Sequence, residues 1–344
     1  MSNGELAGHF TETAIGLILN KIPKYSAEQY RKMILTAQDE LMKYGITAAA
    51  DPAVDSDLIE VYKQMDRNNE LKIRVNVFPI RIPDGRDKIY PLPEKYLSPN
   101  LKIDTVKFFA DGGLSGKTAA LNRTYKNLNE KGIIRLEKNK FLQLALESQN
   151  AGFRIATHAI GDAAIKLVLE IYDQISNKNL NKINHRIEHL GLPTDKDMQL
   201  MQQLNISAVM QPIFINELGK NFNEYVDDQY LKYLYPAKSV LENGVNLSLS
   251  TDAPVVKNFD PLFNILCAME RKDMDGNSIS LDQCLSFNEA LYAYTMGSAI
   301  ANGDDKNLGS IKTNKLADFI IVDFNEAKKG FVIATYINGE LINC

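Results

Sequence analysis

Short apolar segments alternate with amphipathic segments along most of this chain. "KIRVNVFPI" and "FRIATHAIG" are rich in β-branched residues, whereas "FLQLALESQNAG" and "DAAIKLVLEIYDQI" carry apolar residues at helical spacing. Apolar strands that alternate with amphipathic helices predict parallel βα units. We count seven such strands, which begin near residues 46, 72, 105, 153, 183, 206 and 245. A closed (β/α)8 barrel needs eight strands and an open doubly wound sheet tolerates seven, so the count leaves both architectures open.

The last part of the chain has a different pattern. "LGSIKTNKLADFIIVDFNEAKKGFVIATYINGELIN" contains short apolar runs separated by turn residues, without helical spacing. This pattern predicts β-hairpins packed outside the main domain. We therefore divide the chain into an α/β domain over residues 1–307 and a β-hairpin unit over residues 308–344.

The charge balance and the cysteines narrow the classes of function. The chain has 39 basic and 43 acidic residues, interleaved, with a net charge of −4, which argues against a nucleic-acid partner. Cys267, Cys284 and Cys344 show no CxxC spacing, as expected for a reducing compartment. The sequence shows no secretory leader and no run of about 18 apolar residues. We expect a cytoplasmic protein with a small-molecule substrate and no membrane contact.

Ionisable residues fall within or at the carboxyl ends of four predicted strands. Lys107 lies in "VKFFAD", His158 ends "RIATH", His189 ends "HRIEH" and Asp252 ends "LSLSTD". Each residue by itself has an ordinary structural explanation, such as a turn or a buried hydrogen bond. Together they would meet at the sheet edge where α/β proteins build active sites. Imidazole and carboxylate groups are ligands for divalent metals, so the pattern indicates a metal site.

The stretch "INHRIEHLG" (183–191) holds two histidines four residues apart. On a helix they would stack and could share a metal. On a strand they stand roughly 13 Å apart, at about 3.3 Å per residue. The short apolar segment favours a strand, so we assign His189 to the functional edge and His185 to a structural role at the opposite end. Arg186 and Glu188 have the opposite parity, and we expect them to face the surrounding helices.

Five blocks in order resemble the amidohydrolase superfamily, in particular the amidohydrolase 3 group with its N-substituted formamide deformylase-like enzymes. The blocks are "VKFFADGGLSGKTAAL", "THAIGDAAIKLVLEIYD", "HRIEHLGLPT", "STDAPV" with "DPLFNILCAMER", and "NEALYAYTMGSAIA" leading to "GSIKTNKLADFIIVD". The match covers roughly residues 35–344. It implies a TIM-like (β/α)8 barrel, a small β-sandwich and a divalent metal, zinc first, that hydrolyses amide or other C–N bonds.

The resemblance also assigns roles to individual residues. Lys107 looks like the lysine that can be carboxylated and bind metal, and His158 and His189 look like metal ligands. Asp252 looks like the aspartate that binds metal and takes the proton from the attacking water. The segment Asp111, Gly112 and Gly113 is the expected substrate-binding loop.

One element of the family pattern is absent from this sequence. The family's first barrel strand carries a His-x-His pair, which we do not find. We therefore expect an incomplete barrel that lacks strand 1, a remnant of the sandwich, and metal binding that is weak or absent. We expect a homo-oligomer or a complementing N-terminal chain as partner, and the N-terminal chain would supply the missing ligands. The alternative is a catalytically dead barrel that serves as a binding module or is a non-functional remnant, and an unrelated doubly wound binding protein is a third reading.

Overall fold

The computed structural model describes residues 8, 10, 14–83, 88–176, 183–325 and 330–343. Its central feature is a set of parallel strands separated by helices. One sheet has the order β1-β2-β4-β3 and contains β1 (Ala48–Val54), β2 (Arg74–Pro79), β3 (Tyr96–Leu97) and β4 (Leu101–Ile103). A second sheet runs in chain order through β5 (Thr105–Phe109), β6 (Arg154–Ala159), β7 (Arg186–His189), β8 (Ser207–Met210) and β9 (Leu247–Leu249).

The two sheets are joined by one parallel bridge, between Ile80 and Lys107. Every neighbouring pair in the second sheet is parallel, and β1 is parallel to β2. The seven predicted parallel strands are thus all present, as β1, β2 and β5 to β9. Within the described residues, no ladder joins β9 to β1. Whether the barrel is incomplete stays a prediction.

Helices cover the outer face of the strands. They are α1 (Ile15–Leu19), α2 (Ala27–Lys43), α3 (Ser56–Arg67), α4 (Lys138–Asn150), α5 (Asp162–Ser176), α6 (Asp195–Gln203), α7 (Ile213–Tyr225), α8 (Asp228–Leu231), α9 (Ala237–Glu242), α10 (Pro261–Glu270), α11 (Phe287–Tyr292) and α12 (Ser298–Asn302). A π-helical turn, Ala293–Gly297, joins the last two. None of the helices in the described ranges combines the length and apolar character that a bilayer crossing requires.

Local sequence signals explain where several helices begin. Ser26 caps α2 and Thr194 caps α6, each in a reciprocal capping box with the residue three positions later. Asp55 is the N-cap of α3, and Ser56 is already helical. Between the strands and these helices lies one large apolar core, which includes Val106, Phe108, Phe141, Ile155, Val168 and Ile187.

The C-terminal residues form the predicted antiparallel unit. Strands β10 (Phe319–Phe324), β11 (Gly330–Ile337) and β12 (Glu340–Asn343) pair in that order. The sheet packs on α2, where the Thr335 hydroxyl donates to the Met42 carbonyl at 2.9 Å. A complete β-sandwich stays a prediction, as does the domain boundary at residue 308. Cys267 and Cys284 are free thiols, and Cys344 lies outside the described residues.

Candidate active site

The carboxyl edge of the five-stranded sheet brings four sequence-predicted residues together. The rings of His158 and His189, on neighbouring strands, have centroids 4.4 Å apart at 66°. Lys107, on the adjacent strand, is 3% exposed and acts electrostatically on both histidines. Asp252, just beyond β9, interacts electrostatically with Lys107 and His189. The parallel strands therefore place one amine, two imidazoles and one carboxylate in one neighbourhood.

His189 reaches this neighbourhood through an unusual backbone conformation. Register across the sheet pairs His158 with Glu188, so His189 would point to the opposite face in a regular strand. Its φ is +73°, and Leu190 follows with a φ of +47°. Asp252 has a φ of +62°. Non-glycine residues seldom adopt this left-handed region, and they persist there only when the surrounding structure imposes it.

The environment of His158 determines which ring nitrogen carries its proton. Nε2 lies 3.2 Å from the Gly112 carbonyl oxygen and 3.4 Å from Oδ1 of Asp111. Both partners are acceptors, so Nε2 donates and Nδ1 keeps its lone pair in the neutral ring. Burial, followed by the charges of His189 and Lys107, lowers the His158 pKa well below its usual range. The ring is therefore a neutral imidazole near pH 7.

Asp111 organises the two loops that surround His158. Its carboxylate is fully buried and accepts three backbone N–H bonds, from Ile160 at 3.0 Å, Ala120 at 3.0 Å and Gly161 at 2.8 Å. These bonds tie the segment after β5 to the segment after β6. Asp111 thus holds in place the two segments that form this wall of the site. The expected substrate contact of Asp111 to Gly113 stays a prediction.

Burial also changes the ionisation of Lys107, His189 and Asp252. It lowers the pKa of Lys107 to about 8, against the opposing charges of Glu188 and Asp252. It likewise lowers the pKa of His189 and raises that of Asp252, and the attraction between these two groups opposes both shifts. The site is therefore a largely buried cluster in which burial disfavours the charged form of each of these three groups.

The predicted orientation of Arg186 and Glu188 was wrong. Both side chains are buried on the face that carries Lys107 and His158, because register aligns Lys107 and Ala156 with Arg186. Arg186 donates to Glu188 through Nε at 2.5 Å and through Nη2 at 3.0 Å. Burial raises the pKa of Glu188, but the charges of Arg186 and Lys107 outweigh it and the net shift is downward. The two charged side chains can be buried on this face of the sheet because their charges offset each other.

The structural role predicted for His185 agrees with its surroundings. Nδ1 accepts the Ile155 N–H at 3.2 Å, and Nε2 lies 3.0 Å from Oε1 of Gln149 on α4. Tyr172 of α5 packs against the ring with centroids 5.1 Å apart. His185 therefore lies at the amino end of β7 and faces helices, away from the candidate site.

Two residues that border His189 were not predicted from the sequence. Phe214, the second residue of α7, stacks on the imidazole with centroids 5.8 Å apart and planes at 14°. Gln211 lies 2.7 Å from Nδ1 of His189. The "QP" that follows β8 was the available signal for Gln211, since it places a polar residue at the same edge as His189.

The tyrosine-rich segment after β8 packs over this edge. Tyr235 is buried, and burial followed by the charges of Asp111 and Asp252 raises its pKa. Tyr230 donates its hydroxyl to Asp162 at 2.9 Å, and the Lys117 ammonium lies 4.5 Å from the ring centroid of Tyr225. The segment is therefore part of the wall of the site.

The donor types at this edge suit a divalent transition metal. Neutral imidazole nitrogen and carboxylate oxygen are its usual ligands, and His158 keeps an unprotonated nitrogen. In the part of the chain that the structure describes, however, no three His, Cys, Asp or Glu side chains are close enough to surround one ion. The residues fit such a metal in kind but fall short of a complete ligand set.

Comparison with known proteins gives the family to which this fold and site belong. The family model described as "Amidohydrolase family" matches residues 1–342. The chain belongs to this amidohydrolase family, as the sequence blocks predicted.

Two curated relatives illustrate the breadth of the family. "Protein LONG AFTER FAR-RED 3" of Arabidopsis thaliana is 26% identical over 99% of this chain and 62% of its own length. "N-substituted formamide deformylase" of Arthrobacter pascens is 24% identical over 98% of this chain and 66% of its own length. The chain thus spans slightly less than two thirds of the length of these relatives.

Two solved structures support the fold. An uncharacterised metal-dependent hydrolase from Pyrococcus horikoshii OT3 matches with a TM-score of 0.77 and 24% identity, over 88% of this chain and 61% of the other. A chlorohydrolase from Arthrobacter aurescens TC1, in complex with zinc, matches with a TM-score of 0.60 and 15% identity, over 92% of this chain and 72% of the other. At these identities the likeness establishes the fold alone.

Proposed function

We propose that this protein is a metal-dependent hydrolase of amide or other C–N bonds in small molecules. The observation that carries the proposal is the contact between the imidazoles of His158, 12% exposed, and His189, which is buried, beside the carboxylate of Asp252. Membership of the amidohydrolase family supports it. The relative named N-substituted formamide deformylase indicates the type of bond.

The residues of the site have complementary tasks in this proposal. A bound divalent metal, with zinc as the first candidate, supplies Lewis acidity and lowers the pKa of water. His158 and His189 would hold such an ion through their unprotonated nitrogens, and Asp252 would serve as the proton acceptor for the water. The pKa of Lys107, about 8, makes the neutral amine easier to form than in an ordinary lysine, and carboxylation of that amine would create a further ligand. Tyr235 and Phe214 limit the access of bulk water.

The ligand set needs completion from outside the described residues. Two imidazoles and a carboxylate that do not surround one point hold an ion weakly. We propose that a complementing N-terminal chain supplies the remaining donors. The lack of a complete ligand set among the described residues favours a second candidate function, a catalytically inactive binding module.

Metal analysis separates the two functions. The purified chain is supplied with zinc or manganese, and bound metal is measured by elemental analysis together with hydrolysis of a panel of N-substituted formamides. Asp252→Asn should lose both metal and hydrolysis, whereas Asp195→Asn, an exposed residue of α6, should keep both. Metal far below one ion per chain with no hydrolysis, unchanged by bicarbonate, would refute an enzyme formed by this chain alone and favour the binding module.

A further inference from the structure

Gln211 occupies a buried position between two strands of the candidate site. It directly follows β8 and is 2% exposed. Its Oε1 lies 2.7 Å from Nδ1 of His189. Its Nε2 donates to Oγ of Ser250 at 2.8 Å and to the Val209 carbonyl at 3.4 Å. The amide thus links the end of β8, the segment after β9 and the imidazole at the end of β7.

These contacts determine the proton position on the His189 ring. The amide nitrogen donates to Ser250 and Val209, which leaves only the amide oxygen to face the imidazole. An oxygen acceptor requires a proton on Nδ1, so Nε2 of the neutral ring is unprotonated. Phe214, parallel to the ring within 14°, restricts its rotation. Orientation and tautomer are therefore both set by neighbours that lie outside the predicted ligand set.

We propose that Gln211 is a positioning residue that holds His189 in its Nδ1–H tautomer, with Ser250 fixing the amide. The importance of this role rests on the proposed function, since an unprotonated Nε2 is what a divalent metal would use. Hydrogen-bond partners of this kind typically alter metal affinity 10–100-fold. A purely structural Gln211 would instead join β8 to β9 without any effect on the tautomer.

Nitrogen-15 NMR of the metal-free protein tests the proposal directly. Protonated and unprotonated imidazole nitrogens have well-separated shifts, and the chain contains four histidines. The spectra are recorded at about pH 8, above the ordinary histidine pKa of about 6.5. His189→Gln assigns the signals of His189. The test variant is Gln211→Met, which keeps the volume and removes the acceptor, and Gln203→Met, at an exposed position of α6, is the matched control.

We expect His189 of the unaltered protein and of Gln203→Met to carry its proton on Nδ1. Gln211→Met should lose that signature, Gln211→Glu should restore it because a carboxylate oxygen also accepts, and Ser250→Ala should weaken it. The His185 signals report whether each variant is folded. An Nδ1–H signature that persists in Gln211→Met overturns the proposal, as does an Nε2–H signature in the unaltered protein. If Gln211→Met does not fold, an unchanged signature in Ser250→Ala together with loss of the signature in Gln211→Glu overturns it.

Cobalt(II) titration separates this proposal from the proposed function. If cobalt binds, Gln211→Met should weaken its affinity 10–100-fold, and Gln211→Glu should recover most of the loss. Absence of cobalt binding in the unaltered protein counts against the proposed function and leaves the tautomer result intact. Cobalt binding of equal affinity in Gln211→Met and the unaltered protein counts against the positioning role alone.

Discussion

The ion pair between Arg74 and Asp318 ties the C-terminal sheet to the parallel strands, and its loss should destabilise the whole chain. The two side chains are 8% and 3% exposed. Arg74 donates to both carboxylate oxygens of Asp318, at 2.6 and 3.1 Å. Its other N–H bonds reach Asn338 at 2.7 Å, the Pro99 carbonyl at 2.7 Å and Asn100 at 3.2 Å. Every guanidinium N–H is thereby used.

The magnitude follows from what each substitution leaves behind. Asp318→Ala leaves the Arg74 charge buried and unpaired, which costs about 3–5 kcal/mol. It also removes the acceptor of the Asn338 backbone N–H, which lies 2.9 Å from Asp318, and adds about 1 kcal/mol. Asp318→Asn keeps the shape and one acceptor oxygen, so its cost should be smaller. Arg74→Met combined with Asp318→Ala should recover part of the loss because no unpaired charge stays buried.

Urea unfolding followed by circular dichroism measures these free energies. Asp39→Ala is the matched control, because Asp39 pairs with Lys72 at 2.9 Å while both side chains are about half exposed. An exposed pair contributes below about 1 kcal/mol. The reasoning is refuted if Asp318→Ala costs no more than Asp39→Ala, or if the double variant is the sum of its two single variants.

Three further changes have definite expected results. Gly161→Ala should lower the free energy of unfolding by several kcal/mol and abolish hydrolysis in an activity assay, since the new Cβ would lie 1.9 Å from the Ala120 oxygen. The control Gly116→Ala, whose Cβ would lie 3.7 Å from its nearest neighbour, should leave the thermal melting temperature unchanged. Burial lowers the His185 pKa to about 3, so the unfolded state binds the extra proton between about pH 6.5 and 3. As the pH is lowered through this range, the free energy of unfolding measured in urea titrations should fall by up to about 1.4 kcal/mol per pH unit. His185→Gln should remove this contribution to the pH dependence of stability. Ser26→Ala should cost about 1 kcal/mol through loss of the α2 capping box, and an unchanged urea midpoint would contradict this.

The sequence by itself determined the seven predicted strands and their order along the chain. The seven predicted parallel strands all begin within three residues of the predicted positions, and the largest difference is 183 against 186. It also separated His189 from His185, because spacing along a strand is a local property. Hydrophobic period, capping residues and β-branched content act over a few residues, so they can be read without the fold.

Only the tertiary structure decided which side chains meet across strands. Register, which depends on partners far away in sequence, placed Glu188 beside His158 and turned Arg186 inward. The left-handed backbone at His189 overrode the parity of its strand. The contact of Gln211 with His189 and the pairing of Arg74 with Asp318 join residues 22 and 244 positions apart. Such contacts form because buried polar groups must find partners, and the folded chain alone determines which partners lie within reach.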